Sequence, residues 1–261
     1  MIYYKVVIIY NRLIEESLSC SSLKGQRNVI IFDNSREEFI YNNKMISEYY
    51  GFEYITYHSN IGISRAYNKV IEYIKKSTTE YYVSWFDDDT IISEEYFKAM
   101  EIHIQNGTYD LLAPIVKDNE GILSPSYMLM GFYPRRLRNF NVKKKNLTAI
   151  NSGLCVSWKV YQKVNYNEQL FLDYVDHVFI NNAKNEGFSI HIVNTVITQN
   201  FSETTKNEIE QIKSRFEIYS KDFLNAYRKV LAKIFLLIRA IKRSFKYKTF
   251  SFIEIVWRNL K

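Results

Sequence analysis

Three consecutive carboxylates, Asp87, Asp88 and Asp89, stand directly behind residues 81–86, a run that favours a buried strand and has only Ser84 as a small polar residue. Like charges this close repel one another, and at the end of an apolar strand they need a cation or a network of donors. Magnesium and manganese take oxygen ligands and are commonly held by one or two carboxylates plus substrate phosphates, so Asp87-x-Asp89 points to a metal–diphosphate site. A solvated acidic turn is the other reading, because Thr90 or Ser93 with Glu94 and Glu95 also starts a helix well. A second acidic pair, Asp173 and Asp176, is spaced three apart within residues 170–179, which lets both lie near one face at the start of a helix. Helix capping would occupy one of them and leaves the other for different work.

Such groups must be held by a frame, and the chain supplies one. Residues 5–10, 28–32, 52–57 and 81–86 read as strands separated by polar, helix-competent segments, the alternation of an α/β sheet. Their polar residues fall at the C-terminal ends, where open α/β sheets bind ligands. Residues 60–68 open a helix with Ala66, Val70, Ile71 and Ile74 at helical spacing, and Gly62 before it serves either an ordinary loop or a close approach of backbone to ligand. Residues 94–105 suit a helix with Phe97, Met100 and Ile104 inward, and residues 109–116 a further strand. Residues 124–138 read as irregular and end in the cationic run Arg135, Arg136 and Arg138, followed by Lys143, Lys144 and Lys145, a solvated face or a loop that meets phosphates. Residues 149–158 carry the turn Asn151-Ser152-Gly153 into an apolar strand, and His191 falls in another at 189–193, as a structural histidine.

A chain of 261 residues with 47% hydrophobic content can bury a substantial core. Cys20 and Cys155 have no metal or disulfide spacing and read as buried thiols of a reducing compartment. The N-terminal residues, interrupted by Lys5, read as a first strand rather than a secretion signal, and no run is long enough to span a bilayer. Of the net charge of +7, residues 221–261 carry +9 and residues 1–220 carry −2, so nucleic acid is not an expected partner.

Taken in order, Tyr10-Asn11-Arg12, Phe32-Asp33-Asn34, Asn60-x-Gly62-x3-Ala66-x-Asn68, Asp87-x-Asp89, Ser152-Gly153 and the run from Phe171 to Asp176 resemble the family 2 inverting glycosyltransferases of GT-A fold. The resemblance covers about residues 3–205 and is closest to the rhamnosyltransferase branch. It implies a Rossmann-like, nucleotide-binding mixed sheet flanked by helices over residues 1–205; beyond its reach, residues 206–261 read from their own charge and apolar spacing as a basic helical C-terminal tail. It also implies a UDP- or dTDP-sugar donor, rhamnose among the candidate sugars, a saccharide or lipid-linked saccharide acceptor, and a role in cell-surface polysaccharide synthesis.

By that resemblance Tyr10, Asn11 and Arg12 close over the nucleotide, Asp33 accepts from the base, and Asn60, Gly62, Arg65 and Asn68 line the nucleotide and diphosphate. Asp87 and Asp89 hold manganese or magnesium, with Asp87 also turned to ribose and Asp88 between them. Asn151, Ser152, Gly153 and Asp173 border sugar or acceptor, and Asp176 is the catalytic base. Gln199 falls where family members often place a metal-site histidine, and an amide binds a divalent ion more weakly than imidazole. Other readings are a non-catalytic nucleotide-sugar-binding protein on the same fold, and a sugar nucleotidylyltransferase, which would want a glycine-rich loop after the first strand. In the tail, Val230, Ile234, Leu237, Ile238 and Ile241 form one stripe flanked by Lys229, Lys233, Arg239, Lys242 and Arg243. Residues 229–243 therefore suit either an anionic membrane surface, with the protein peripheral on the inner face of the cell membrane, or packing on its own domain or on a second copy.

Overall fold

The computed structural model describes residues 1–107, 109–137, 146–200 and 208–260. Strands β1 (Ile2–Ile9), β2 (Val29–Asp33), β3 (Glu53–Thr56) and β4 (Tyr81–Asp87) form a parallel set in the order β3-β2-β1-β4. Their side chains are buried on alternating sides: Val6, Ile8, Val83 and Trp85 enter one apolar cluster, Val7, Ile9, Tyr82 and Phe86 the other. This is why the strands read as continuous apolar runs. The chain winds outward from β1 through β2 to β3, then returns to place β4 on β1's other side. That reversal opens a crevice beyond the C-terminal ends of β1 and β4, where Ile8 pairs with Asp87.

The sheet continues through β6 (Leu111–Asp118), β11 (Cys155–Ser157) and β12 (Ile190–Gln199), with β11 antiparallel between β4 and β6 and β12 parallel to β6. Two-residue β5 (Thr90–Ile91) pairs antiparallel with the end of β12, and β7 (Gly121–Ser124) pairs with β6. Helix α1 (Leu18–Ser22) follows the first strand, and α2 (Glu37–Tyr50), α3 (Ile63–Ser77), α4 (Glu94–Asn106), α5 (Trp158–Tyr161) and α6 (Val175–Asn185) flank the sheet. In α4, Phe97, Met100 and Ile104 are buried as their spacing requires, and the His191 ring stacks 3.8 Å from that of Tyr109.

The stretch expected to be irregular is instead partly ordered. Residues 124–138 contain β8 (Ser126–Leu129) and β9 (Tyr133–Arg136), which form a second, three-stranded sheet with β10 (Leu147–Thr148). Arg136 of the cationic run pairs in bidentate fashion with Asp118, at 2.7 and 2.5 Å, so this cation is already neutralised. Arg138 and Lys143 to Lys145 lie outside the described residues.

The C-terminal part forms α7 (Ile209–Ala226), α8 (Val230–Tyr247) and α9 (Ser251–Leu260), around a cluster built from Phe216, Phe223, Leu236, Phe252 and Val256. Phe132, from the turn between β8 and β9, completes this cluster, so the tail packs on the body of the molecule. On α8, Ala232, Leu236 and Ala240 face inward while Val230, Ile234, Leu237, Ile238 and Ile241 are exposed. Among the described residues no helix is long and apolar enough to cross a membrane.

Candidate active site

A cavity of about 660 Å³ lies over the crevice between β1 and β4. Asp87 reaches it from the last position of β4, and Asp88 and Asp89 from the turn that follows. The backbone of this turn is pinned from below. Ser19 Oγ donates to Asp87 O and accepts from Thr90 N at 3.2 Å, while Ser17 Oγ and Leu18 N donate to Asp88 O at 2.9 and 3.0 Å. Pairing of Thr90 with Gln199 then carries the end of β12 across the acidic turn.

The three carboxylates divide their partners. Arg12 Nη1 meets Asp88 Oδ1 at 3.1 Å, and Gln199 Nε2 donates to Asp87 Oδ2 at 3.0 Å and to Asp89 Oδ1 at 3.1 Å. These contacts do not fully offset burial. Desolvation, then the charges of Asp89, Asp88 and Asp176, push Asp87 up to about 7. Burial lifts Asp88 to about 6 against the opposing pull of Arg12, and raises Asp89 against that of Gln199. Gln199 Oε1 is buried without a hydrogen-bond partner. Two strained carboxylates beside an uncommitted amide oxygen suit a hard divalent cation, which prefers oxygen donors and would relieve the repulsion.

Asp176 lines the same cavity from the second position of α6, where its Oδ1 accepts the His177 N–H at 2.7 Å. His177 Nδ1 lies 3.8 Å from that oxygen and 2.8 Å from Thr148 Oγ1. Asp173 precedes the helix and caps nothing: it faces Arg215 of α7, whose Nη1 and Nη2 donate to its two oxygens at 2.5 and 2.9 Å. Asp176 therefore faces the cleft without Asp173 beside it on the helix.

Tyr10, Asn60 and Asn151 also line the cavity. Asn60 Oδ1 accepts from Asn34 Nδ2 at 2.9 Å and from Gly62 N at 3.0 Å, and Asn151 Nδ2 is a buried donor with no partner. Several residues assigned by resemblance stand behind this wall. Asp33 is fully buried, its carboxylate taking donors from Asn43 and Tyr54, each at 2.7 Å, and from Ser35 N at 2.9 Å. Asn11 bridges to the 35–36 turn, and Asn68 binds the backbone of Tyr166 and the side chain of Glu168, which Arg65 also approaches at 3.9 Å. Ser152 Oγ is 2.6 Å from Thr90 Oγ1.

Both glycines answer to packing. Gly62 (φ +84°) lets the start of α3 approach the 171 loop, since a Cβ there would lie 2.8 Å from the Phe171 ring. Gly153 (φ +77°) donates to Trp85 O at 2.6 Å, and its Cβ would strike Ile197 and Pro114. Tyr67, Asn34 and Arg215 are cleft residues to which no role was assigned from sequence. Asn34 belongs to the Phe32-Asp33-Asn34 run at the end of β2, whereas Arg215 depends on the docking of α7 and carries no local signal.

The mixed sheet, with its acidic cluster at a strand end and its flanking helices, is a fold of GT-A type. This chain shares that fold with GalNAc-T7 in complex with UDP, GalNAc and Mn2+ (TM-score 0.59, 11% identity, 84% of this chain and 47% of that one) and with S. aureus TarS 1–349 in complex with UDP (TM-score 0.55, 16% identity, 94% and 72%). Residues 6–171 match the model of Glycosyl transferase family 2, and the chain belongs to that family. It is similar to the dTDP-rhamnosyl transferase RfbF of Shigella flexneri, 26% identical over 198 residues that cover 73% of this chain and 66% of that protein. The chain thus spans just under two thirds of the length of that curated relative.

Proposed function

We propose that the protein is a metal-assisted inverting glycosyltransferase that moves a sugar from a nucleoside diphosphate to a saccharide or lipid-linked acceptor in polysaccharide synthesis. One observation carries this reading: the Asp87–Asp89–Gln199 cluster and the Asp176 carboxylate face one cavity. Asp176 takes the acceptor hydroxyl proton as that oxygen bonds to the anomeric carbon, while the bond from that carbon to the diphosphate oxygen breaks and its electron pair leaves with the diphosphate. Asp87, Asp89 and Gln199 would hold manganese or magnesium, which supplies positive charge to the leaving group. Arg12 keeps Asp88 in place and Asn151 Nδ2 offers a donor to a sugar hydroxyl. Similarity to the rhamnosyl transferase supports dTDP-rhamnose as the donor, and the UDP-bound neighbours keep UDP-sugars in the test. The experiment is release of dTDP from dTDP-rhamnose, and of UDP from UDP-sugars, with and without Mn2+. Failure to bind or consume any of them would overturn the reading.

The same reading includes an anionic membrane surface as a partner of α8. Support comes from an apolar face left exposed opposite the packed one, with Val230 71% and Phe245 81% accessible. Of the flanking cations, Arg239 and Arg243 turn inward over Tyr219 and Phe216, at 4.7 and 5.0 Å, while Lys229, Lys233 and Lys242 stay exposed. The basic rim is thus narrower than the sequence implied, yet suited to anionic headgroups. A second copy of the chain on this face is the competing outcome of the test.

A further inference from the structure

The loop before α6 is held from two directions. From α3, Ile63 N donates to Phe171 O at 2.7 Å and Ser64 Oγ donates to Leu170 O. From α7, the carboxylate of Asp222 accepts three successive backbone N–H groups: Phe171 to Oδ1 at 2.8 Å, then Leu172 and Asp173 to Oδ2, each at 2.7 Å. Converging N–H groups of this kind make a concave seat for an anion, and bonds to a charged acceptor exceed those to a neutral one.

Asp222 is 1% exposed, and burial raises its pKa against the opposing effect of the three N–H groups. A buried carboxylate is costly in a helix that could pack an apolar residue there. All three of these bonds go to one segment, which enters α6 through Tyr174 at φ +62° and reaches Asp176 two residues later. Arg215, about two turns earlier on the same face of α7, clamps the Asp173 side chain. One helix of the tail therefore holds both the backbone and a side chain of the segment that launches the proposed base.

We propose that Asp222 is a positioning residue for sugar transfer: through the N–H groups of residues 171–173 it fixes where α6 begins and so where the Asp176 carboxylate stands in the cleft. This rests on the transferase reading. It gives α7 a part in setting the geometry of the cleft, whatever surface α8 meets.

The test uses the full chain with Asp222→Asn, whose amide turns an N–H toward donors that need an acceptor. Amide exchange in residues 170–176 should rise about tenfold or more, and kcat for dTDP release from dTDP-rhamnose should fall about 10- to 100-fold, with the Kd for dTDP within about twofold of wild type. If that variant does not fold, Asp222→Glu, which keeps the charge on a longer arm, should show the same split in milder form. Val256→Ala loosens the tail core in α9 without touching the loop, and its turnover per folded molecule should be unchanged. The proposal is overturned if either Asp222 variant keeps wild-type kcat per folded molecule, if Kd rises in step with the loss, or if exchange at 170–176 does not respond. Wild-type protein that releases no nucleotide, while those amides still respond, would overturn the transferase reading and leave the clamp standing.

Discussion

Gln199 Nε2 donates to Asp87 Oδ2 at 3.0 Å, so a neutral donor stands where the acidic turn most needs positive charge. A cation entering this site must displace that N–H or engage the amide through its oxygen. An imidazole at the same position would offer a stronger ligand. Gln199→His should therefore tighten Mn2+ binding by about tenfold in titration calorimetry, and Asp89→Ala should weaken it by at least as much. Unchanged affinity in both variants would remove this cluster as the metal site.

Acidity gives a second check, with its sign fixed by burial. Asp87, at about 7, holds its proton more tightly in the folded chain than in the unfolded one. Its contribution thus favours the native state at low pH and is lost as pH rises from about 4 through about 7. A metal requires the ionised form, so stabilisation by Mn2+ should grow over the same interval. Thermal unfolding with and without Mn2+ between about pH 5.5 and 7.5 measures it. A Mn2+ effect that is flat with pH would mean that Asp87 is not a ligand.

The proposed base is tested against its neighbour. Asp176→Asn keeps the side chain's size but cannot accept the acceptor proton, so transfer should fall by about 10² to 10⁴ while nucleotide binding persists. Asp173→Asn weakens a partly exposed pair with Arg215, should cost about 1 kcal/mol or less of stability, and should lower turnover far less than Asp176→Asn does. Loss of transfer in the second variant and not the first would move the base to Asp173.

On α8, Ile234→Glu with Ile238→Glu places charge in the middle of the exposed stripe and leaves Leu236 and Ala240 packed. Binding to vesicles containing anionic lipid should fall about tenfold or more, and salt should weaken it for the unaltered chain. Wild-type protein that ignores such vesicles but sediments as a dimer, separated by the same variants, would assign the face to a second copy.

The strands that carry the cleft were legible because they are buried on both faces and so announce themselves as apolar runs ending in polar residues. The Asp87–Asp89 turn was legible because three adjacent carboxylates behind a strand are hard to explain otherwise. Strand β9 was hidden because Pro134 reads against a strand, and it is tolerated there only at the edge of the small sheet. Asn68 and Arg65 sit at motif positions, but the phase of α3 turns them toward residues 166–168. Arg215 and Asp222 bind partners 42 to 51 residues away through the docking of one helix, a relation that no local pattern encodes.

The antiparallel β11 has a consequence for how the molecule is made. Strands β4 and β6 do not pair with each other, since Cys155 bridges from Ser84 on one side to Leu112 on the other. Until residues 155–157 have left the ribosome, the sheet exists as two unjoined pieces, and β4 presents an apolar edge with unpaired backbone groups. Such edges recruit other strands, and closure over about 70 residues of intervening chain is slow compared with local helix formation. A nascent chain that ends before residue 155 thus leaves this edge open to other strands, whereas one that has released β11 has covered the strand that carries its acidic cluster.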